Sequence, residues 1–271
     1  RAMFGMTEAC GVVSVEPLDS DRVAHSCGFP LPFSDVRVIA LGDGGNDPDH
    51  ALPANTTGQL IIRGKQISPG YTDEARNEDA FLPGGWLKTG DVGHIDTDGR
   101  IFITGRAKDV IIRSGHNIDP AVIEEALLMH PSVELCAAVA QPDPYAGELP
   151  VAFVKLRPGT SCDMDELLQF ATQHIPERPA FPKRITQVDR FAMTATGKIQ
   201  KPELRRIAAE RVVCEALSSL ASEATRLEVR GIAGDSATKL YVEVSGLSSD
   251  KLDTIRTTLA AFRLPFDLVI S

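Results

Sequence analysis

No apolar run approaches the ~18 residues of a membrane-spanning helix, and no stretch reads as a signal peptide. No membrane span is expected, and the cytoplasm is the expected compartment. A basic balance is also missing: 28 Lys and Arg against 37 Asp and Glu leave a formal charge of −9. That excludes the electropositive surface of a nucleic-acid-binding protein. It does not exclude anionic ligands, because local Lys, Arg and helix N-termini can hold a phosphate on an acidic protein. The five cysteines, Cys10, Cys27, Cys136, Cys162 and Cys214, contain no C-x-x-C pair and have no His cluster beside them. A zinc site is therefore not expected, and free thiols in a reducing compartment are. Internal repeats and low-complexity tracts are absent. What remains is a globular composition, 43% hydrophobic and 24% charged over 271 residues, with room for two domains of roughly 150 residues each. Residue 1 is Arg rather than Met, so a processed or truncated N-terminus is expected.

Residues 23–105 read as β-rich. Val36–Ile39, Gln59–Arg63 and Arg100–Ile103 are strand candidates, separated by turn chemistry at Gly42–Gly45, Pro83–Gly85 and Asp96–Gly99. Asp96–Gly99 is taken as a hairpin turn, since a calcium loop needs further acidic ligands that are missing. From about residue 108 the texture becomes mixed α and β. Val110–Ile112 is a strand candidate, and Asp119-Pro120 caps and opens a helix running to about Met129. Strands follow at Val133–Ala140 and Val151–Leu156. Asp163 and Glu166 have capping-box-like spacing ahead of a second helix. Arg184–Val188 is a short strand, and Pro202 opens a helix toward Leu220. Beyond it, Leu227–Val229 and Leu240–Val244 read as strands, Lys251–Phe262 as a helix and Asp267–Ile270 as a final strand. The expected fold class is mixed α/β (α+β).

Four segments carry chemistry. In Phe4-Gly5-Met6-Thr7-Glu8, a Gly before a hydroxyl–carboxylate pair suits a backbone approaching phosphate and a carboxylate facing Mg²⁺, which takes oxygen ligands. Alone, Thr-Glu reads first as a helix cap. In Trp86-Leu87-Lys88-Thr89-Gly90-Asp91, a carboxylate after a Gly turn can accept hydrogen bonds from a ribose diol, although alone it is an ordinary turn Asp. Gly105-Arg106-Ala107-Lys108-Asp109 falls at the shift in texture and leads through Ser114-Gly115-His116-Asn117 to the capped helix. Its alternating charges also suit a solvated linker. In Thr194-Ala195-Thr196-Gly197-Lys198, a Lys on a Gly-containing loop supplies a compact positive charge for an anion, though most Gly-Lys pairs are surface loops.

In this order, the segments resemble the adenylate-forming enzymes: acyl- and aryl-CoA synthetases, nonribosomal-peptide adenylation domains and beetle luciferases. The resemblance covers residues 1–206. Gly-His-Asn-Ile-Asp-Pro and Thr-Gly-Lys-Ile-Gln-Lys look most like the fatty acyl-CoA synthetase branch. It implies a β-rich end of a large AMP-binding domain at 1–107 and a small mobile domain at 108–206; residues 207–271, beyond the resemblance and longer than the family leads one to expect, read as an α+β extension. It also implies a ligase that uses ATP, Mg²⁺ and coenzyme A to activate a carboxylic acid, fatty acids foremost, through an acyl-adenylate. By match of position, Gly5 and Thr7 would lie at the AMP phosphate, Glu8 would hold Mg²⁺, and Asp91 and Arg106 would bind the ribose. Lys198 would bridge substrate carboxylate and phosphate oxygens. Lys108 would be the hinge on which the small domain rotates between half-reactions, and Ser114, Gly115 and His116 would line the path of the pantetheine arm.

The family's Gly-, Ser- and Thr-rich phosphate loop, which lies upstream of the first segment, is missing. This chain is therefore expected not to complete adenylation alone; a proteolytic product, a deliberately cut fragment and one part of a longer chain all stay open. The Pro that usually precedes Thr-Gly-Lys is replaced in Phe191-Ala192-Met193-Thr194, which removes some rigidity from the loop. Gly234-Asp235-Ser236 resembles the Asp-Ser of carrier proteins, but a carrier Ser opens a helix, whereas Ser236 precedes an alternating strand. A hairpin turn is the better reading, within a tail suited to packing or oligomerisation. Oligomeric state is left open. Two other functions stay open at this point: loading of a carrier-protein thiol, and a non-catalytic remnant that binds nucleotide or a partner.

Overall fold

The computed structural model describes residues 1–19, 21–42, 47–195, 197–221, 224, 226–232 and 238–270. The Gly234–Ser236 turn and part of the Gly42–Gly45 turn lie outside the described residues. The chain forms two compact units, Arg1–Lys108 and Asp109–Ser271.

In the first unit, β1 (Met3–Met6), β2 (Gly11–Val15) and β3 (Phe29–Pro30) form an antiparallel sheet in that order. A second antiparallel sheet contains β4 (Ser34–Ile39), β5 (Gly58–Gly64), β6 (Phe81–Leu82), β7 (Trp86–Ile95) and β8 (Ile101–Arg106). Both β6 and β8 pair with β7. Central strand β5 is covered on both faces, which explains its unbroken Leu60-Ile61-Ile62 run. Leu60 packs with Val38 and Ile101, and Ile61 with Ile39 and Trp86. Ile62 joins Phe4, Val13 and Leu87. The buried Trp86 ring has the Arg37 and Arg63 guanidinium carbons each 4.6 Å from its centroid. The Asp96–Gly99 turn is a hairpin: Asp96 Oδ1 accepts from the Asp98 and Arg100 N–H groups at 2.9 and 2.7 Å. Helix α1 (Ala75–Ala80), which buries none of its residues, has no apolar period to announce it in the sequence.

The second unit is a sheet between helices. The long hairpin of β11 (Val133–Asp143) and β12 (Gly147–Leu156) forms its centre. The other edge of β12 meets β9 (Ile111–Arg113) at Gly147 and the parallel strand β13 (Ile185–Gln187) further along, and β10 (His116–Ile118) pairs with β9. One face, with Ala138, Ala152 and Val154, packs on α2 (Pro120–Leu128) and α3 (Met164–His174). The other, with Ala137, Val139, Val151 and Phe153, packs on α4 (Lys201–Ala216). Both expected caps are present. Asp119 accepts from the Ala121 N–H at 3.0 Å with Pro120 at the first helical position, and Asp163 accepts from the Asp165 N–H at 2.7 Å.

Helix α4 ends before the buried Leu217, and a separate short turn, α5 (Ser218–Ala221), follows where the sequence suggested one helix to Leu220. A fourth sheet, β14 (Arg226–Ile232), β15 (Lys239–Ser245) and β16 (Phe266–Ile270), carries α6 (Ser249–Ala261). Its core of Leu240, Val242, Val244, Ile255 and Leu259 includes Ala209 and Val213 of α4. The boundary expected at 206/207 thus falls inside one continuous helix that packs on two sheets. All five cysteines are free. Burial pushes the Cys136 thiol up to about 12 and also raises those of Cys27, Cys162 and Cys214. Among the described residues no helix is long and apolar enough to cross a membrane.

Leu127 is fully buried between α2 and the sheet, so Leu127→Ala should destabilise by about 2–5 kcal/mol in denaturant unfolding. A second outcome concerns Glu148, whose Oε2 accepts from the Ile112 N–H at 2.7 Å. Burial pushes its carboxyl above the ordinary range, against the pull of that N–H and of the Arg205 charge. The folded chain then holds this proton more tightly than the unfolded chain, and stability falls as pH rises from 4.5 through the raised folded value. Glu148→Gln, which retains an acceptor for Ile112, should match the wild type below about pH 4 and melt higher at about pH 7 in thermal scans.

Candidate functional site

Gly5 sits in β1 where the pairing register with β2 shifts. A Cβ there would lie 2.1 Å from the Gly11 carbonyl oxygen, so the close approach demanding glycine is to the neighbouring strand. Thr7–Ala9 then form one 3-10 turn, closed by Cys10 in the left-handed region with its N–H on the Thr7 carbonyl at 3.0 Å. Thr7 is exposed and Glu8 half-buried. Glu8 Oε1 accepts from the Tyr71 hydroxyl at 2.8 Å, and its carbonyl accepts from the Ser68 N–H. Burial, then the Glu8 carboxylate, pushes the Tyr71 phenol up, so it remains the donor. Tyr71 was missed in the sequence: it is distant along the chain, and its Pro-Gly-Tyr context is shared by many ordinary turns.

Asp91 lies within β7, not in the free turn that Gly90 suggested. Gln59 and Ile61 of β5 face Val92 and Lys88 of β7, so Thr89-Gly90-Asp91 form a bulge, with Gly90 at φ +73°. Thr89 Oγ1 pins the bulge, donating to the Leu60 carbonyl at 2.8 Å and accepting from the Asp91 N–H at 3.0 Å. The bulge sets Asp91 opposite Arg106 of β8, with Nε 3.0 Å from Oδ1. The Asp91 side chain is 9% exposed and that of Arg106 52%. A bulge that re-aims a side chain is a common device beside binding sites, and here it sets a fixed carboxylate behind a solvent-facing guanidinium.

Lys108 is the exposed middle residue of a 3-10 turn, Ala107–Asp109. Ser114 and Gly115, at φ +49° and +85°, form the two-residue turn between β9 and β10, as the primed hairpin turns require. Ser114 and His116 line a recess of about 290 Å³ with Arg113, Arg178 and Pro179. Arg113 donates to the Pro179 carbonyl at 2.8 Å.

The Lys198 loop is tied across its base. Thr194 N–H donates to the Lys198 carbonyl at 2.8 Å, Lys198 N–H to Thr194 Oγ1 at 3.0 Å, and Gly197 N–H to the Thr194 carbonyl at 2.9 Å. Gln200 adds a bond to the Met193 carbonyl. These bonds supply the order that proline was expected to provide, while Lys198 itself is exposed. The candidate residues thus fall into two sets, with Glu8, Asp91 and Arg106 on the first unit and Ser114, His116 and Lys198 on the second.

Among the described residues no three His, Cys, Asp or Glu side chains are grouped to hold a metal ion. Glu8 offers a single, half-exposed carboxylate, which fits Mg²⁺, an ion usually held by one or two carboxylates plus substrate phosphates.

The family described as AMP-binding enzyme matches residues 1–72, and that described as AMP-binding enzyme C-terminal domain matches residues 122–198. A marinolic acid–CoA ligase of Pseudoalteromonas sp. (strain SANK 73390) is 41% identical over 217 residues, 80% of this chain and 33% of that protein. The 4-coumarate–CoA ligase 1 of Glycine max is 37% identical over 74% of this chain and 69% of its own length. ATP-bound MatB from Rhodopseudomonas palustris superposes with a TM-score of 0.69 at 30% identity, over 76% of this chain and 40% of that one. The chain spans only about a third of the marinolic acid–CoA ligase. With both matches in the order of the four segments, the chain belongs to the AMP-binding, adenylate-forming enzyme family that includes the CoA ligases.

Proposed function

We propose that the protein containing this chain is an ATP-dependent acid–CoA ligase acting on a carboxylic acid with an apolar body, fatty acids foremost. The observation carrying this reading is the Lys198 loop, closed at its base by Thr194 while its ammonium reaches solvent. In the first half-reaction a carboxylate oxygen attacks the α-phosphate of ATP, and the bond to pyrophosphate breaks. Two anions must meet, and Lys198 offsets their repulsion from between the carboxylate and phosphate oxygens. The Asp91 carboxylate and Arg106 guanidinium hold the ribose hydroxyls. The Thr7 hydroxyl donates to the α-phosphate, beside Gly5. Glu8, steadied by the Tyr71 hydroxyl, would hold Mg²⁺, which would supply positive charge to the phosphates.

In the second half-reaction the coenzyme A sulfur attacks the acyl carbonyl, its proton leaves, and AMP departs with the electron pair. Lys198 has no role in this step. Rotation about Lys108 withdraws it and brings forward the Ser114–His116 turn, where Gly115 leaves room for the pantetheine arm. A few residues absorbing a large backbone change is the usual form of a hinge. The fatty-acid assignment rests on the Gly115–Pro120 and Thr196–Lys201 segments, while the relatives named above carry other acids in their names.

In the intact enzyme, Lys198→Ala should lower acid-dependent ATP–pyrophosphate exchange by about 10²–10³-fold, with thioester formation from supplied acyl-adenylate retained. Unchanged exchange would remove Lys198 from the mechanism. Asp91→Asn removes the charge that pairs with Arg106 and accepts from ribose. The KM for ATP should rise about 10- to 100-fold, as for one charged hydrogen bond, in initial-rate kinetics across a panel of fatty and aryl acids.

A further inference from the structure

The backbone between the two units is held on both sides, and the holding residues define where it can turn. On one side β8 ends at Arg106, laddered to Asp91 and ion-paired with it at 3.0 Å. On the other, Asp109 Oδ1 accepts from Arg205 Nη1 at 2.7 Å, with side chains only 15% and 10% exposed. Three residues on, the Ile112 N–H is held by Glu148. Ala107 and Lys108 are left between the two fastenings.

Arg205 belongs to α4, the helix that the Lys198 loop feeds. One turn earlier on the same face of α4, Lys201 Nζ lies 2.8 Å from Glu124 Oε1 of α2. The start of α4 is thus tied both to α2 and to the first residue beyond the junction. Glu148 faces Arg205 across a cavity of about 60 Å³, so this arginine stands between two carboxylates.

We infer that Arg205 is a positioning residue for the change between half-reactions: by holding Asp109 it confines the pivot to Ala107 and Lys108 and makes the Lys198 loop travel with the backbone leaving the junction. This rests on the reading of Lys108 as the hinge. Without Arg205, the Asp109 carboxylate is largely buried with its partner gone, a costly state. It is relieved most simply by opening the 107–109 turn to water. The pivot then spreads into the second unit, and Lys198 loses its fixed relation to it.

Lys108 is exposed, so trypsin reads the opening directly. Arg205→Met in the 271-residue chain should speed cleavage after Lys108 about tenfold relative to cleavage after the exposed Arg22 of the first unit, since proteolysis follows the population of the open form. Arg205→Lys should restore part of the protection. Asp109→Asn, which keeps the side-chain shape, should speed the same cleavage by more than it does in an unstructured peptide spanning residues 104–113, and covers the case in which Arg205→Met does not fold. Wild-type relative rates in both Arg205→Met and Asp109→Asn would overturn the inference. In the intact enzyme Arg205→Met should lower kcat of both half-reactions and leave the KM for ATP unchanged. Lys108→Pro separates the two ideas. If it spares both half-reactions while the cleavage effect persists, the hinge reading fails and the role of Arg205 in rotation fails with it. If it blocks thioester formation while the Arg205 and Asp109 variants cleave normally, the hinge stands and only the Arg205 inference is lost.

Discussion

Burial of α4 on two opposite sides is the constraint on which the second unit depends. Leu204 and Ala208 face the β11–β12 sheet, while Ala209 and Val213 face the sheet of β14–β16. A helix with apolar residues on two faces is stable only between two layers, so the tail sheet completes the burial of α4. The contact is close. A Cβ on Gly231 would lie 2.7 Å from Arg206 Cγ, and Glu210 accepts from the Gly231 N–H as well as from Arg206. The extension is therefore fastened to the helix that follows the Lys198 loop.

Charge is used differently on the two units. On the first, the Asp91 carboxylate is covered while its partner Arg106 faces solvent, so water screens the pair from one side. On the second, the Lys201–Glu124 and Arg205–Asp109 pairs are largely covered. Covered pairs are costly to break by halves, so they fix geometry more than they add stability. Glu124 also accepts from the Ala138 N–H, so a single carboxylate relates α2, α4 and the central hairpin.

Features that depend on neighbours along the chain were legible in the sequence. The Asp119 and Asp163 caps and the Asp96–Gly99 turn each follow from a few adjacent residues. Most strands of the second unit followed from their apolar or alternating runs, but β10 (His116–Ile118) did not. Features created by long-range pairing were not legible. The Thr89–Asp91 bulge arises only when β5 and β8 flank β7, and Tyr71 reaches Glu8 only in the folded unit. The apolar faces of α4 belong to two different cores, so a boundary drawn at residue 206 by resemblance cuts a helix that packing keeps whole. Glu8, Asp91, Arg106 and Lys198 were singled out by resemblance of their segments, whereas the hydrogen bonds and pairings that fasten them came only with the fold.

The thiols differ in what packing lets them do. The thiolate is the reactive form of cysteine, and burial raises the thiols of Cys27, Cys136, Cys162 and Cys214, that of Cys136 to about 12. Of the five, only Cys136 is buried, and its Sγ donates to the Glu124 carbonyl. It becomes a nucleophile only when the core between α2 and the central hairpin opens, so packing makes this sulfur a built-in reporter of local unfolding.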